Sequence, residues 1–303
     1  MSVNANQVKE LRERTGAGMM DCKSALSEAA GDIEKAIDLL REKGLSKAAK
    51  KQGRTAAEGL VRVMLSENGK TASIIEVNSE TDFVAKNQDF IDFTERLADL
   101  SIEAEHDGVD EFMSKKYDDH QTVGEKITSY VATIGENIGI RRVEKHNKEG
   151  LVYVGYLHLG GKIGVIVGLE TDASADEVNE VGRDIAMQVA SMHPLFIDES
   201  AIDPEYLEKE KEILVQQALN EGKPKDIVEK MVQGRLKKEL KETCLLEQKF
   251  VKNNDLTIAQ YIANAEKGLG KSIKVETMVR YEVGEGVEKK KENFAEEVAK
   301  QMG

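Results

Sequence analysis

At 303 residues the chain is long for a single hydrophobic core, because cores stop growing near about 250 to 300 residues, so two or three packed units are expected. Charged residues make up 33% and aromatics 5%, with no Trp and three Pro, a profile that favours helices and excludes a turn-rich β-sandwich. The 43 basic and 56 acidic residues give a net charge of -13, a surface that repels phosphate backbones, so direct nucleic-acid binding is not expected. The two cysteines, Cys22 and Cys244, stand far apart without a CxxC or a histidine neighbour, which predicts buried thiols rather than a disulfide or a zinc site. The amino terminus, MSVNANQVKELRER, lacks an apolar signal core, and no window approaches the roughly 18 apolar residues that span a bilayer. A soluble cytoplasmic protein without membrane contact is expected.

From Asn4 to Lys43 the apolar residues fall at helical spacing in three runs: Val8 and Leu11; Cys22, Ala25, Leu26 and Ala29; then Ile33, Ala36, Ile37 and Leu40. These predict a three-helix module, with Asp32 capping its last helix. Met19 and Met20 follow a glycine turn and read as core filler or contact residues, with the pattern favouring core. SKAAKKQGR, Ser46 to Arg54, has no apolar periodicity and reads as a basic linker, closing a unit of residues 1–54.

LVRVMLS and TASIIEVN, joined across Asn68-Gly69, predict a hairpin. Helices follow, one capped by Asn87 and carrying Phe90, Phe93, Leu97 and Leu100, the other carrying Ile127, Val131 and Ile134, before a strand at Ile138 to His146. This β-β-α-α-β order over 55–146 returns in a second core unit, 147–202 with 244–290. There LVYVGYLHL and IGVIVGLE form the hairpin, Ser174 and Glu177 a capping box, and a late helix and strand complete the order. Between its halves, 203–243 reads as an inserted antiparallel helical hairpin: Asp203-Pro204 opens one arm and Glu221-Gly222-Lys223-Pro224 breaks to the other. Each arm would span about 27 Å with a narrow apolar stripe. A short carboxy-terminal helix is expected over 291–303. The fold class is therefore α+β.

Between the first strand pair and its helix lies TDFVAKN, Thr81 to Asn87, where Phe83 and Val84 occupy a corner that usually carries polar residues. Either Phe83 folds under the corner as a satellite of the core, or Asp82 and Phe83 form a probe aimed at a partner. Periodicity does not separate the two.

Chemistry is sparse. His106, His120, His146, His158 and His193 are scattered, and neither HExxH nor GxSxG occurs. GLGKS at Gly268 to Ser272 resembles the end of a phosphate loop, but Ala265 stands where GxxxxGK[ST] needs its first glycine, and a strand follows where a helix is needed. An enzyme, a metal site and a bound cofactor are not expected.

Four stretches resemble the elongation factor Ts family: VKELRERTGAGMMDCKSAL from Val8, TDFVAKN from Thr81, IGENIGIRRVE from Ile134 and YEVGEGVEK from Tyr281. The resemblance runs end to end. It implies that the amino-terminal module is similar to ubiquitin-associated domains. It also implies a guanine-nucleotide exchange factor that binds elongation factor Tu with GDP, loosens magnesium and nucleotide, and leaves when GTP binds the nucleotide-free Tu. By the same resemblance, Val8, Lys9, Met19 and Met20 lie on the face that meets the partner. Thr81, Asp82, Phe83 and Val84 would disturb the magnesium site of Tu, with Phe83 as a wedge, and His158 would lie near Tu's other face. For the helical hairpin it leaves two roles, touching Tu or pairing two copies as a homodimer within a Tu-Ts heterotetramer.

Overall fold

A computed structural model describes residues 3–222 and 224–288; the helix expected over 291–303 lies outside the described residues. The chain divides into two compact units, one of residues up to Arg62 with Ile75–Glu144 and the segment from Glu282, the other of Val63–Ile74 with Lys145–Tyr281.

The first unit begins with α1 (Ala5–Thr15), α2 (Met19–Glu28) and α3 (Ile33–Ala49). Asn4 and Gln7 form a capping box on α1, and the Asp32 carboxylate accepts the Lys35 amide at 3.1 Å to start α3. Leu11, Cys22, Ala25, Leu26 and Ala36 fill the space among the three helices. Helix α3 runs through Ser46–Ala49, the first half of the stretch read as a linker. Lys and Ala are strong helix formers and no breaker intervenes before Gly53, so the absence of an apolar stripe did not end the helix.

The hairpin strands are β1 (Glu58–Leu65) and β2 (Ala72–Ser79). Gly69 takes φ 65° at their turn, and the Asn68 side chain accepts the Lys70 amide at 3.0 Å. Four helices follow where two were expected: α4 (Asp82–Ala85), α5 (Gln88–Glu103), α6 (Val109–Met113) and α7 (Val123–Ile134). Pieces as short as α4 and α6 complete too little of a helical repeat to show a pattern. Strand β3 (Gly139–His146) then returns to give the sheet order β1-β2-β3. Phe93 of α5 stacks on Tyr130 of α7 at 4.3 Å. On the other side of α7, Arg41 of α3 pairs with Glu125 at 2.6 Å, and Gly44 lies against Ala132. The helical module therefore leans on α7 directly.

Glu76 of β2 is fully buried, yet its carboxylate is satisfied. It accepts from Asn78 Nδ2 at 3.1 Å, Arg141 at 3.3 Å, Arg142 Nε at 2.7 Å and the Gly284 amide at 2.8 Å. That ties β2, β3 and the turn of the YEVGEGVEK stretch together.

In the second unit, β4 (Leu151–His158) pairs antiparallel with β5 (Ile163–Glu170), His158 opposite Ile163. Helix α8 (Ala175–Met192) opens on the expected Ser174–Glu177 capping box and lays Val178, Ile185 and Val189 on Val152, Val154, Val165 and Val167. Gly182 makes the approach close: a Cβ there would fall 2.5 Å from a methyl of Val154. Then come α9 (Pro204–Asn220), α10 (Lys225–Thr243), β6 (Lys249–Phe250), β7 (Asn253–Thr257), α11 (Ile258–Leu269) and β8 (Lys274–Glu282). The sheet order β4-β5-β8 again sets the returning strand beside the second strand of the hairpin.

The β6-β7 ladder was not expected, because two residues and a polar NNDLT show no alternation to read. Asp203 caps α9 by accepting the Glu205 amide at 2.9 Å, with Pro204 in the first turn. The two arms bury Leu214, Ala218, Val228 and Val232 against each other, and Arg235 grips Glu221 in a two-pronged pair at 3.0 and 2.8 Å. Ile213 and Ile227, which stand next to those residues in the chain, are exposed. Among the described residues no helix is long and apolar enough to cross a membrane.

Candidate partner-binding corner

Strand β2 ends at Ser79, which is buried and donates its hydroxyl to the Thr81 carbonyl at 3.0 Å. Thr81 is the N-cap of α4, its Oγ accepting the Val84 amide at 3.4 Å. The helix lasts one turn because Asn87 turns extended and caps α5, accepting the Asp89 amide at 2.8 Å. In so short a turn, positions two apart point to opposite sides. Ala85 is buried, so Phe83 faces solvent and is 82% exposed. The satellite reading of Phe83 is thereby excluded: the ring does not fold under the corner.

Two carboxylates hold this turn from outside it. Glu136, just past the glycine that ends α7, accepts from the Glu80 amide at 3.1 Å and the Thr81 amide at 3.0 Å through one oxygen, and from the Thr81 hydroxyl at 2.7 Å through the other. Glu80 answers by accepting the Asn137 amide at 2.6 Å, and it pairs with Arg54 at 3.4 Å. Asn137 also donates from its side chain to the Arg54 carbonyl at 2.7 Å. Asp82 is engaged on the surface, its carboxylate 2.6 Å from Lys86 Nζ; that hydrogen bond raises the Lys86 pKa. Glu136 and Asn137 were present in IGENIGIRRVE, but no role was read for them. A carboxylate reaching over some fifty positions to two amides leaves no local pattern.

The other expected site residues separate. Lys9 is exposed, and Met19 and Met20 are 57% and 75% exposed at the start of α2, so neither methionine is core filler. Val8 is only 8% exposed and packs in the core of the helical module. The periodicity placed it inward, and the structure agrees with the periodicity. His158 is half-buried at the end of β4, its Nδ1 3.0 Å from the Tyr156 hydroxyl. The tip beyond it is Leu159, at φ 49° and 69% exposed, with Leu157 also exposed. A leucine in the left-handed region, turned to water, is a costly choice, and no local pattern announces it.

GLGKS is not a phosphate cradle. Gly270 is the left-handed cap that ends α11, and Lys271 spends its charge on the Glu177 carboxylate at 2.9 and 2.7 Å. Those bonds, with the Ser174 amide, hold Glu177 at about 2. Among the described residues no group of three His, Cys, Asp or Glu is placed to hold a metal ion.

Fold and site together describe a mixed α/β protein, helical at its amino end and built on small antiparallel sheets, that presents apolar side chains to solvent on turns fixed by hydrogen bonds. A family profile described as Elongation factor TS matches residues 80–285. Elongation factor Ts of Clostridioides difficile is 55% identical over 301 residues, covering 99% of both chains. Those of Clostridium botulinum and Clostridium kluyveri are 52% and 53% identical, again over 99% of each chain. The chain belongs to the elongation factor Ts family.

Proposed function

We propose that this protein is a guanine-nucleotide exchange factor for elongation factor Tu in translation elongation. It makes no covalent change, and it acts by contacts that are better made with nucleotide-loosened Tu than with the closed GDP-bound form. The observation that carries the reading is Phe83: a large apolar side chain, held out to solvent on a turn that two carboxylates fix. Seated against a helix of Tu's G domain, that ring exchanges water for apolar contact, and the displaced helix loosens the magnesium and with it GDP. Thr81 shapes the turn; Asp82, paired with Lys86, sits at the approach to the magnesium site. Lys9, Met19 and Met20 supply a second contact from the helical module, and the Leu157–His158–Leu159 tip a third. The hairpin of α9 and α10 supplies either a further contact with Tu or the pairing of two copies in a Tu-Ts heterotetramer.

Calorimetry tests the partner assignment. Titration of this protein into nucleotide-free Tu should give saturable one-to-one heat, and titration of GDP or GTP into this protein alone should give none. A micromolar dissociation constant for either nucleotide would sink the proposal.

A further inference from the structure

The corner raises a question that Phe83 alone does not answer: what keeps a four-residue helix formed while it shows its largest apolar group to water. Isolated helical turns are unstable, since nucleation fixes several residues for one hydrogen bond. Ordering a segment on binding costs affinity, so a turn ordered in advance binds more tightly. Here the order comes from Glu136. Its carboxylate takes three donors, the Glu80 amide, the Thr81 amide and the Thr81 hydroxyl, at 3.1, 3.0 and 2.7 Å. The Thr81 oxygen in turn accepts the Val84 amide, so a continuous chain of hydrogen bonds runs from Glu136 through Thr81 into α4. Arg54 and Asn137 do the same for Glu80, fixing the residue before the turn.

We propose that Glu136 is a positioning residue, which touches no partner and acts by keeping the Asp82–Ala85 turn in the geometry that presents Phe83. This rests on the reading of Phe83 as the contact with Tu. Removing the Glu136 carboxylate frees the Glu80 and Thr81 amides and lets α4 fray. Phe83 is still present and can still seat, but only from the fraction of molecules in which the turn is formed. The concentration needed for half-maximal exchange should therefore rise, while the maximal rate is largely kept.

The test uses the full chain with four variants: Glu136→Ala, Thr81→Val, Thr81→Ser and Phe83→Ala, together with the Glu136→Ala/Phe83→Ala pair. Release of labelled GDP from Tu is followed against factor concentration, and hydrogen exchange at the Glu80 and Thr81 amides is measured in the free protein. Glu136→Ala should raise the half-maximal concentration about 10-fold and speed exchange at both amides. Thr81→Val, which deletes both the hydroxyl donor to Glu136 and the oxygen that caps the Val84 amide, should do so as well, and Thr81→Ser, which keeps both, should restore both readouts. The double variant should be no worse than Phe83→Ala alone, because Glu136 acts through Phe83. Slowed release by Phe83→Ala with normal release by both Glu136→Ala and Thr81→Val would overturn the positioning role alone. Additive losses in the double variant would also overturn it. Normal release by Phe83→Ala would instead remove the contact on which the proposal rests, and the proposal with it.

Discussion

Phe83→Ala is the perturbation whose two effects separate contact from packing. In the free protein the ring is 82% exposed, so its removal leaves no cavity and should change stability by no more than about 0.5 kcal/mol. Alanine is in addition the better helix former, which offsets part of any loss in α4. Bound, the arithmetic differs. Burying a Phe side chain is worth about 1.5–3 kcal/mol, and at about 1.4 kcal/mol per factor of ten its loss should slow GDP release roughly 10-fold to 150-fold. The assay is stopped-flow release of a labelled GDP from Tu with each protein at the same concentration, with the melting temperature measured on the same preparation. Phe83→Leu keeps most of the apolar area and should recover most of the rate. A Phe83→Ala protein that melts early but releases GDP normally per folded molecule would refute the reasoning, since it would show a packing residue rather than a contact.

Three further outcomes follow from the packing and the charges. Gly182→Ala forces a Cβ to within 2.5 Å of buried Val154, so the urea midpoint should fall by the equivalent of about 1–3 kcal/mol, and an unchanged midpoint would show that α8 can slide off β4. Lys271→Ala should raise the Glu177 pKa from about 2 part of the way to the ordinary 4.5, read by titrating its carboxyl resonance. Because the folded value lies below the unfolded one, the stabilisation is present above about pH 4.5 and lost as pH falls toward 2. The variant should lose part of that acid-sensitive limb, the Ser174 hydrogen bonds keeping the rest, and a Glu177 still titrating near 2 would contradict it. Replacing 203–242 with a short flexible link should leave the second unit folded, because the arms bury their apolar residues on each other; Thr243 is kept because its carbonyl accepts the Leu195 and Phe196 amides at 2.9 and 3.2 Å. The lost edge contact of Tyr206 on Phe196 should cost about 0.5–1.5 kcal/mol, and loss of cooperative unfolding would show that the arms belong to the core.

Features written in neighbouring residues were legible in the sequence. Asn87, Ser174 with Glu177, and Asp203 with Pro204 each announced a helix start by a side chain that satisfies an amide two or three positions on. The Asn68-Gly69 turn and the stripes of α5 and α8 were legible for the same reason. What escaped was either too short or too distant. Helices α4 and α6 and the β6-β7 ladder are too short or too polar for a period to repeat in them. The extension of α3 through SKAA comes from propensity and from the α7 surface it leans on, not from amphipathic spacing. The corner shows both limits. TDFVAKN drew notice because apolar residues stood at a turn, but the outward direction of Phe83 depends on Ala85 facing inward, and the hold on Thr81 comes from Glu136 beyond four intervening helices. Val8 and Leu11 were placed inward by their helical spacing, and both pack in the core of the helical module.

The most direct measurement of the central claim is the rate at which labelled GDP leaves elongation factor Tu as this protein is added, with excess unlabelled GDP as chase. The account predicts a rate that climbs with the concentration of this protein to a plateau far above spontaneous release, and a climb that Phe83→Ala depresses while its melting temperature holds. A release rate that stays at the spontaneous value at every concentration, with binding of the two proteins demonstrated in the same buffer, would contradict it.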